Sequence, residues 1–371
     1  MIGQWLADLQ EEVPASLRID LEDRGEGCVG HAYLFYPGTD LPGFLFPIRL
    51  PKEAPYRATL TTVYLYPSGG VMTPADRVSA DEFLAKTHAA PPPASIDVVL
   101  SMEGDSLKVT WSAVDGRDGS LTLERSDASG TSQLPSRPDL TTWNEFRQWA
   151  VLQRPRNFIF RGQRHPYKLV SSFHRTWRKD LRSWIHDDVS FLFGAVAERL
   201  SYPLQMGNLH HNAAIWSILQ HHGYPTPMLD WSFSPFVAAY FAFEAAADES
   251  TPRIYIFDQA RWNERYGRAH FIVDAAPTQL VVLESMAVAN PRHGPQQAIS
   301  TVTNIADVES FIKGREQEDG VSYLTVCDLP ALARPQIMRE LELMGITYGS
   351  LFPGLDGICR DMKDRLFAPP C

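Results

Sequence analysis

The feature that most constrains the fold is a change in the hydrophobic pattern near residues 127–139. Before this point, short apolar runs alternate with polar residues and are separated by Gly, Pro and Asp. The runs span 28–37, 43–50, 58–67, 96–102, 106–114 and 120–126. Alternation with a period of two, bounded by turn residues, is typical of antiparallel strands. A β-rich accessory domain is therefore predicted over residues 1–135, with a single helix at 80–86.

After this point the pattern becomes mainly helical. The polar, proline-bearing stretch 127–139 is the predicted linker, and Thr142 and Glu145 have the spacing of a capping box that begins a helix. Ser234 followed by Pro235 predicts another helix start. Further helices are expected at 186–200 and 209–222, with 330–345 as the last long one, and strands at 157–161, 253–258, 279–285 and 321–328. The chain is thus predicted to be α+β, with a mixed α/β domain over residues 140–371.

Composition excludes several classes of protein. Of the 371 residues 44% are hydrophobic, yet no apolar run reaches the roughly 18 residues of a membrane span. The first residues have neither a basic start nor an apolar stretch, so we expect a cytoplasmic protein without a membrane partner. The four cysteines are scattered without a Cys-x-x-Cys pair, so neither a metal site nor a disulfide framework is expected.

The distribution of charge is uneven. The net charge of −10 argues against a broad electrostatic surface for nucleic acid. Basic residues nevertheless crowd into 154–182, which leaves a local basic patch as one interpretation and an ordinary solvated face as the other. The sequence lacks the common phosphate-loop, dinucleotide-loop, nucleophile-elbow and zinc-protease motifs.

Five segments occur in the order FIFRGQ (158–163), LVSSFHR (169–175), QHHGYPTPMLDWSFSPFVAAYFA (220–242), NPRHGPQQ (290–297) and LFPGLDGI (351–358). Together they resemble the FRG domain family over most of 156–366, and the long central segment is the most specific. Two departures are visible. Pro227 stands where the family usually has Arg, and the family's Gln-x-Gly-x-Phe is here Gln296, Gln297, Ala298, Ile299 and Ser300.

A further likeness is to ADP-ribosyltransferases. In those enzymes a strand that ends in Arg-Gly holds the phosphates of NAD, and a serine-bearing strand before a helix shapes the nicotinamide pocket. The resemblance implies catalytic roles for Arg161, His221, Asp230 and Gln296. It implies contacts with NAD, as substrate, for Arg161, Gly162, Gln163, Trp231, Ser234, Tyr240 and Arg292.

Each of these residues also has a structural interpretation. Arg161 can form an ion pair with Asp230, and His221 can stabilise the carbonyl end of its helix. Asp230 can cap backbone amides, Trp231 can belong to the core, and Ser234 can be a helix N-cap. Gln296 lacks the negative charge of the glutamate that transferases place on a late strand. A carboxylate such as Glu284 or Glu309 is the alternative source of that charge.

The leading hypothesis is an NAD-dependent ADP-ribosyltransferase-like enzyme. The resemblance implies a bacterial toxin or phage-defence effector that modifies nucleic acid or protein and is restrained by an antitoxin or regulatory partner. The rival hypothesis is a non-catalytic module that binds a nucleotide or a partner. A nuclease is disfavoured because clustered acidic metal ligands are missing from the sequence.

Overall fold

The computed structural model describes residues 1–9, 13–39, 41–61, 64–66, 93–200, 202–206, 208–267, 274 and 276–367. The predicted helix at 80–86 lies outside the described residues. Within this part of the chain, strands form one sheet of nine strands in the N-terminal region and one of six in the C-terminal region. The α+β class, with a β-rich part followed by a mixed α/β part, is confirmed.

Nine strands build the N-terminal sheet. They are β1 (Gly3–Leu9), β2 (Ala15–Asp23), β3 (Gly27–Phe35), β4 (Gly43–Pro51), β5 (Tyr56–Leu60), β6 (Tyr64–Tyr66), β7 (Ile96–Glu103), β8 (Ser106–Ala113) and β9 (Asp118–Arg125). Neighbours in the order β5-β7-β8-β9-β1-β2-β3-β4-β6 are hydrogen-bonded, and the paired strands are antiparallel.

This sheet curls back on itself. Ala32 of β3 and Ile48 of β4 share a hydrophobic core with Val98 of β7 and Val109 of β8. Three strands, β9, β1 and β2, separate these two groups in the order of the sheet. The inner faces of its two halves therefore meet around one apolar interior.

Strand β2 is buried on both faces. Its apolar residues Ile19 and Leu21 belong to the interior of the N-terminal sheet. The alternate positions Arg18, Asp20 and Glu22 are 2%, 0% and 0% exposed, although such charges usually point to solvent. The outer face of β2 is therefore an interface with the rest of the molecule.

Polar contacts hold this interface together. The Glu22 carboxylate accepts hydrogen bonds from Arg178 Nε (3.0 Å) and from the backbone amides of Lys179 (2.9 Å) and Asp180 (3.1 Å). Gln4 donates to the Asn304 carbonyl oxygen at 2.8 Å. The two parts of the chain thus pack through a network that satisfies most of its buried polar groups.

The C-terminal part has six strands. They are β10 (Phe158–Gln163), β11 (Met228–Ser232), β12 (Arg253–Asp258), β13 (Leu280–Leu283), β14 (Ala298–Thr303) and β15 (Leu324–Asp328). The helices are α1 (Trp143–Leu152), α2 (Leu181–Ser183), a π-helical turn (Trp184–Val189), α3 (Ser190–Ala197), α4 (Leu209–His221), α5 (Pro235–Phe243), α6 (Gln259–Tyr266), α7 (Val308–Asp319), a 3₁₀ turn (Ala331–Ala333), α8 (Arg334–Leu343), α9 (Tyr348–Leu351) and α10 (Leu355–Leu366).

The sheet order β13-β14-β11-β10-β12-β15 places β10 and β11 at the centre. Strands β10 and β12 are paired along their length, from Phe158 with Asp258 to Gln163 with Arg253. Strands β10 and β11, in contrast, are joined by the single pair Phe160–Ser232. The two halves of the sheet therefore separate beyond this pair, and the gap positions the candidate site.

Helix α5 lies directly on β10 because Gly162 has no side chain. A Cβ added at Gly162 would come within 1.8 Å of the Ala238 carbonyl oxygen and 2.7 Å of the Ala242 amide nitrogen. Phe160 and the buried face of α5 belong to one hydrophobic core on this side of the sheet. The glycine of the segment FIFRGQ is thus required for close packing of helix on strand.

Locally encoded predictions are confirmed. Thr142 and Glu145 form the capping box of α1, and Ser234 caps α5 with Pro235 in its first turn. The expected strand at 253–258 matches β12, whereas the run at 58–67 divides into β5 and β6.

Two predictions on the elements were incomplete or wrong. Strands β1 and β2 were missed, and 330–345 does not contain the last long helix because α10 follows it. None of the helices in the described ranges is both long enough and apolar enough to cross a bilayer.

Candidate functional site

A cleft of about 420 Å³ opens where β10 and β11 separate. Strands β10, β11 and β14 form its floor, and the end of α4, the segment 285–298 and Phe352 form its walls. The four residues predicted to be catalytic, Arg161, His221, Asp230 and Gln296, all line this cleft. The structure therefore brings these side chains together, while their catalytic roles remain predictions.

Arg161 is the central cation of the cleft. Its Nη1 donates to the carbonyl oxygen of Asp230 at 2.6 Å, across the gap between β10 and β11. Its Nε is buried without a hydrogen-bond partner, and no carboxylate oxygen of the described residues lies within 4.0 Å of the guanidinium. Burial lowers the pKa of Arg161, and the nearby Asp230 charge opposes this effect. An anionic ligand would satisfy the charge that the protein leaves without an ion pair.

Asp230 is the only carboxylate among the described residues that line the cleft. Its Oδ1 accepts a hydrogen bond from Gln220 Nε2 at 2.5 Å, and Thr226 donates to the other end of the same Gln220 amide. The Gln220 amide is thus held from both sides, which orients it toward Asp230. The ion pair between Arg161 and Asp230 that the sequence suggested is absent among these contacts, because Arg161 binds the Asp230 backbone oxygen instead.

A second arginine and two histidines also line the cleft. His221 is the last residue of α4, and burial lowers its pKa, assisted by the nearby charge of Arg292. The Arg292 guanidinium lies over the Phe352 ring at 4.8 Å from its centre. His293 has a buried Nε2 without a hydrogen-bond partner in the described structure. Because its pKa is lowered, His221 is neutral near pH 7 and has one ring nitrogen able to accept a proton.

Gln296 contributes its backbone as much as its side chain. Its carbonyl oxygen accepts a hydrogen bond from Ser232 Oγ at 2.7 Å, and its side-chain amide donates to the Leu351 carbonyl oxygen at 3.0 Å. The residue thereby ties the segment before β14 to the end of β11 and to α9. Gln296 is a wall of the cleft whose amide already has a protein partner.

The alternative carboxylates do not line the cleft. Glu284 forms an exposed ion pair with Arg156 at 2.7 Å. Glu309 is buried, and its two oxygens accept from the Leu169 amide at 2.8 Å and from Ser132 Oγ at 2.6 Å. Neither side chain is placed to supply the charge that Gln296 lacks.

Residues predicted to contact NAD divide into two groups. Arg161, Gly162, Trp231 and Arg292 line the cleft, whereas the lining does not include Gln163, Ser234 or Tyr240. Gln163 donates to the Tyr167 carbonyl oxygen at 3.4 Å, Ser234 caps α5, and Tyr240 is 4% exposed in the core.

Trp231 is a core residue at the floor of the cleft. Its side chain is 4% exposed, packs against Phe257 on the far face of the sheet, and donates to Thr301 Oγ1 at 3.0 Å. The core interpretation of Trp231 is confirmed. Its indole is therefore unavailable to stack on a ring in the cleft.

A smaller pocket of about 120 Å³ adjoins the cleft and shares Arg161, Gln220 and Asp230 with it. Arg175, which is exposed, and Tyr224 line this pocket. The LVSSFHR motif thus places an additional cation beside Arg161. The sequence signal for Arg175 and Gln220 was present, because both lie in the motif segments, but no role was predicted for them.

The basic stretch 154–182 does not form one free surface. Arg178 pairs with the buried Glu22, and Lys168 pairs with Asp307 at 2.8 Å.

Within the described residues, no group of three His, Cys, Asp or Glu side chains is arranged to hold a metal ion.

Comparison with known proteins identifies the central segment of the chain. No curated protein and no solved structure matches the chain. A family model, that of the FRG domain, matches residues 156–251, which include Arg161, His221 and Asp230. The chain therefore contains an FRG domain, and the matched segment supplies the strand β10, the end of α4 and the strand β11 that meet in the cleft.

Proposed function

We propose that the chain is an NAD-dependent ADP-ribosyltransferase-like enzyme that uses the cleft between β10 and β11. The observation that carries this proposal is the burial and hydrogen bonding of the Arg161 guanidinium. Its guanidinium is partly buried, its Nε has no partner, and no carboxylate among the described residues pairs with it. Such a cation favours an anion in the cleft, and a diphosphate matches its planar donors.

Further features support a dinucleotide. The cleft has a volume of about 420 Å³, within the common range for small-molecule sites. Arg292 stands in the same cleft, and Arg175 stands in the adjoining pocket. With Arg161 at the boundary, the two pockets offer space for the two halves of a dinucleotide on either side of its phosphates.

The chemistry proposed is transfer of ADP-ribose. The bond between ribose C1′ and the nicotinamide nitrogen breaks, and nicotinamide leaves with the bonding electrons. Positive charge develops on the ribose, and the Asp230 carboxylate in the cleft stabilises it. A nucleophilic oxygen or nitrogen of the acceptor then attacks C1′ and releases a proton. Neutral His221 is the base that takes this proton.

A second candidate is a module that binds a nucleotide without catalysis. Two observations favour it: the Gln296 amide is engaged by Leu351, and an oxygen of Asp230 is engaged by Gln220. A site built for binding alone needs the cations but not a free carboxylate. Only the first proposal includes an acceptor, which is nucleic acid or protein. Only the first proposal also includes a role as a toxin or phage-defence effector that a partner restrains.

The deciding experiment measures nicotinamide release from NAD by the purified chain, alone and with RNA, DNA or protein acceptors. Wild type is compared with Arg161→Ala and with Arg164→Ala. Arg164 is an exposed arginine three residues away that does not line the cleft, so it controls for loss of charge. We expect release with one class of acceptor, a reduction of about 10²-fold or more in Arg161→Ala, and little change in Arg164→Ala.

Binding of NAD and ADP-ribose is measured in parallel by calorimetry. Saturable binding without nicotinamide release, with every acceptor and with folded protein, selects the binding module. Release that is the same in Arg161→Ala and wild type would refute the assignment of this cleft. Expression in a bacterial host gives a further readout, since an active transferase should slow growth and Arg161→Ala should relieve this effect.

A further inference from the structure

The curled N-terminal sheet surrounds an apolar cavity of about 430 Å³. Ile19, Ala32 and Ile48 line it from β2, β3 and β4, and Val98 and Val109 line it from β7 and β8 on the opposite side. These five residues are 2% to 7% exposed and form the bottom of the cavity, whereas partly exposed residues such as Leu34, Phe44 and Trp111 line its open side. Packed interiors leave few voids larger than a water molecule, which makes this volume unusual for a purely structural core.

The described residues of the lining disfavour polar ligands. Arg117 is the only charged residue among the described residues that line the cavity, and the others are apolar or aromatic. The Arg117 guanidinium is already paired with Asp115 at 2.5 Å, so its charge does not require a ligand. A sugar, nucleotide or peptide would leave polar groups without hydrogen bonds in such a cavity. Water is disfavoured for the same reason, because a buried molecule needs two to four polar partners.

We propose that this cavity is a binding site for a single long acyl chain, of the kind carried by a fatty acid or a fatty alcohol. The volume lies within the range of about 300–1,000 Å³ found for small-molecule sites, and the mouths of curled sheets are common positions for them. Tyr36 and Arg117 are the polar groups of the lining and mark the end where a head group meets solvent. This site shares no lining residue with the cleft at Arg161. Strand β2 contributes Ile19 to the cavity and the buried Glu22 to the interface with the rest of the molecule.

The test is a binding titration with the full chain. The probe is a fatty acid that carries a dansyl group, and displacement is measured with palmitic acid, hexadecanol, octanoic acid and cholesterol. We expect saturable binding with one probe per chain and displacement by palmitic acid. Octanoic acid should compete at least tenfold more weakly, because it fills less of the cavity. Equal displacement by hexadecanol supports recognition of the chain alone, and its failure supports a head-group contact at Arg117.

Matched substitutions locate the site. Ala113 lines the cavity and is 8% exposed, whereas the adjacent Val114 is 69% exposed and does not line it. We expect Ala113→Phe to weaken probe binding at least tenfold and Val114→Phe to leave it unchanged. Ala32→Leu, on the opposite wall, gives a smaller loss and serves if Ala113→Phe does not fold, as judged by circular dichroism.

Three results would overturn the proposal. They are unsaturable probe binding to folded wild type, equal binding by the folded cavity variants and the Val114→Phe control, or displacement by cholesterol but not by palmitic acid. None of these readouts depends on NAD chemistry, so the outcome is independent of the function proposed for the cleft.

Discussion

Substitution of Gly162, in the segment FIFRGQ, tests whether helix α5 packs directly on strand β10 beside the cleft. In Gly162→Ala the added Cβ would lie 1.8 Å from the Ala238 carbonyl oxygen, whereas ordinary contacts begin near 3.4 Å. Helix α5 and strand β10 would therefore have to move apart by about 1.6 Å in a closely packed core. The obstacle is helix backbone, which cannot rotate away as a side chain can.

Overpacking of a core costs about 1–3 kcal/mol, and contact with rigid backbone places Gly162→Ala at the upper end, about 3 kcal/mol. For a domain of this size the melting temperature changes by about 2–4 °C per kcal/mol, so a decrease of about 6–12 °C is expected. The assay is thermal unfolding followed by circular dichroism, with urea unfolding to obtain the free energy.

Gly194→Ala is the matched control. Gly194 lies in helix α3 and is exposed, and a Cβ added there would meet no atom within 4 Å beyond its chain neighbours and the backbone of its own helix. The same substitution should there stabilise the protein by about 0.5–1 kcal/mol, because alanine is the better helix former. A Gly162→Ala protein that melts within about 1 °C of wild type would refute the packing argument.

Two further predictions concern the buried polar network. Burial lowers the pKa of His174 to about 3. Below about pH 6.5 the unfolded chain therefore binds more protons than the folded chain, and the free energy of unfolding decreases as the pH is lowered. Between pH 7 and pH 5, wild type should lose about 2 kcal/mol more than His174→Gln in urea unfolding, and a parallel loss in both proteins would contradict this. Glu22→Ala leaves the Arg178 guanidinium and the amides of Lys179 and Asp180 without their buried acceptor. It should destabilise the chain by about 3–5 kcal/mol in guanidinium unfolding, with Glu22→Gln in between, and a change below 1 kcal/mol would show that this contact contributes little.

The candidate site was predictable in part because its residues lie in short motifs. Arg161, His221, Asp230 and Gln296 were selected from the sequence, and all four line one cleft. The relation between them was not predictable. Arg161 binds the backbone of Asp230 and not its carboxylate, because β10 and β11 separate after a single residue pair.

Contacts between distant segments account for what the sequence did not indicate. The charges of β2 at Arg18, Asp20 and Glu22 alternate as in a strand with one solvated face, yet all three are buried. Glu22 is buried against the segment 178–180, more than 150 residues away, and Arg18 donates to the carbonyl oxygen of Ala276. Trp231 stands in the most specific motif, but it packs in the core because the adjacent Asp230 faces the cleft and side chains alternate along a strand.

The sequence by itself determined the elements whose causes are local. Alternation produced β3, β4 and β7 to β9, and the side chains of Thr142 and Ser234 set the starts of α1 and α5. These effects act over a few residues, so a pattern suffices to predict them. Only the tertiary structure decided which faces are buried, that Gly162 serves the approach of α5, and that Arg161, which has no carboxylate partner among the described residues, faces a cleft. These depend on which surfaces meet, and packing between remote segments overrides local preference wherever more area is buried.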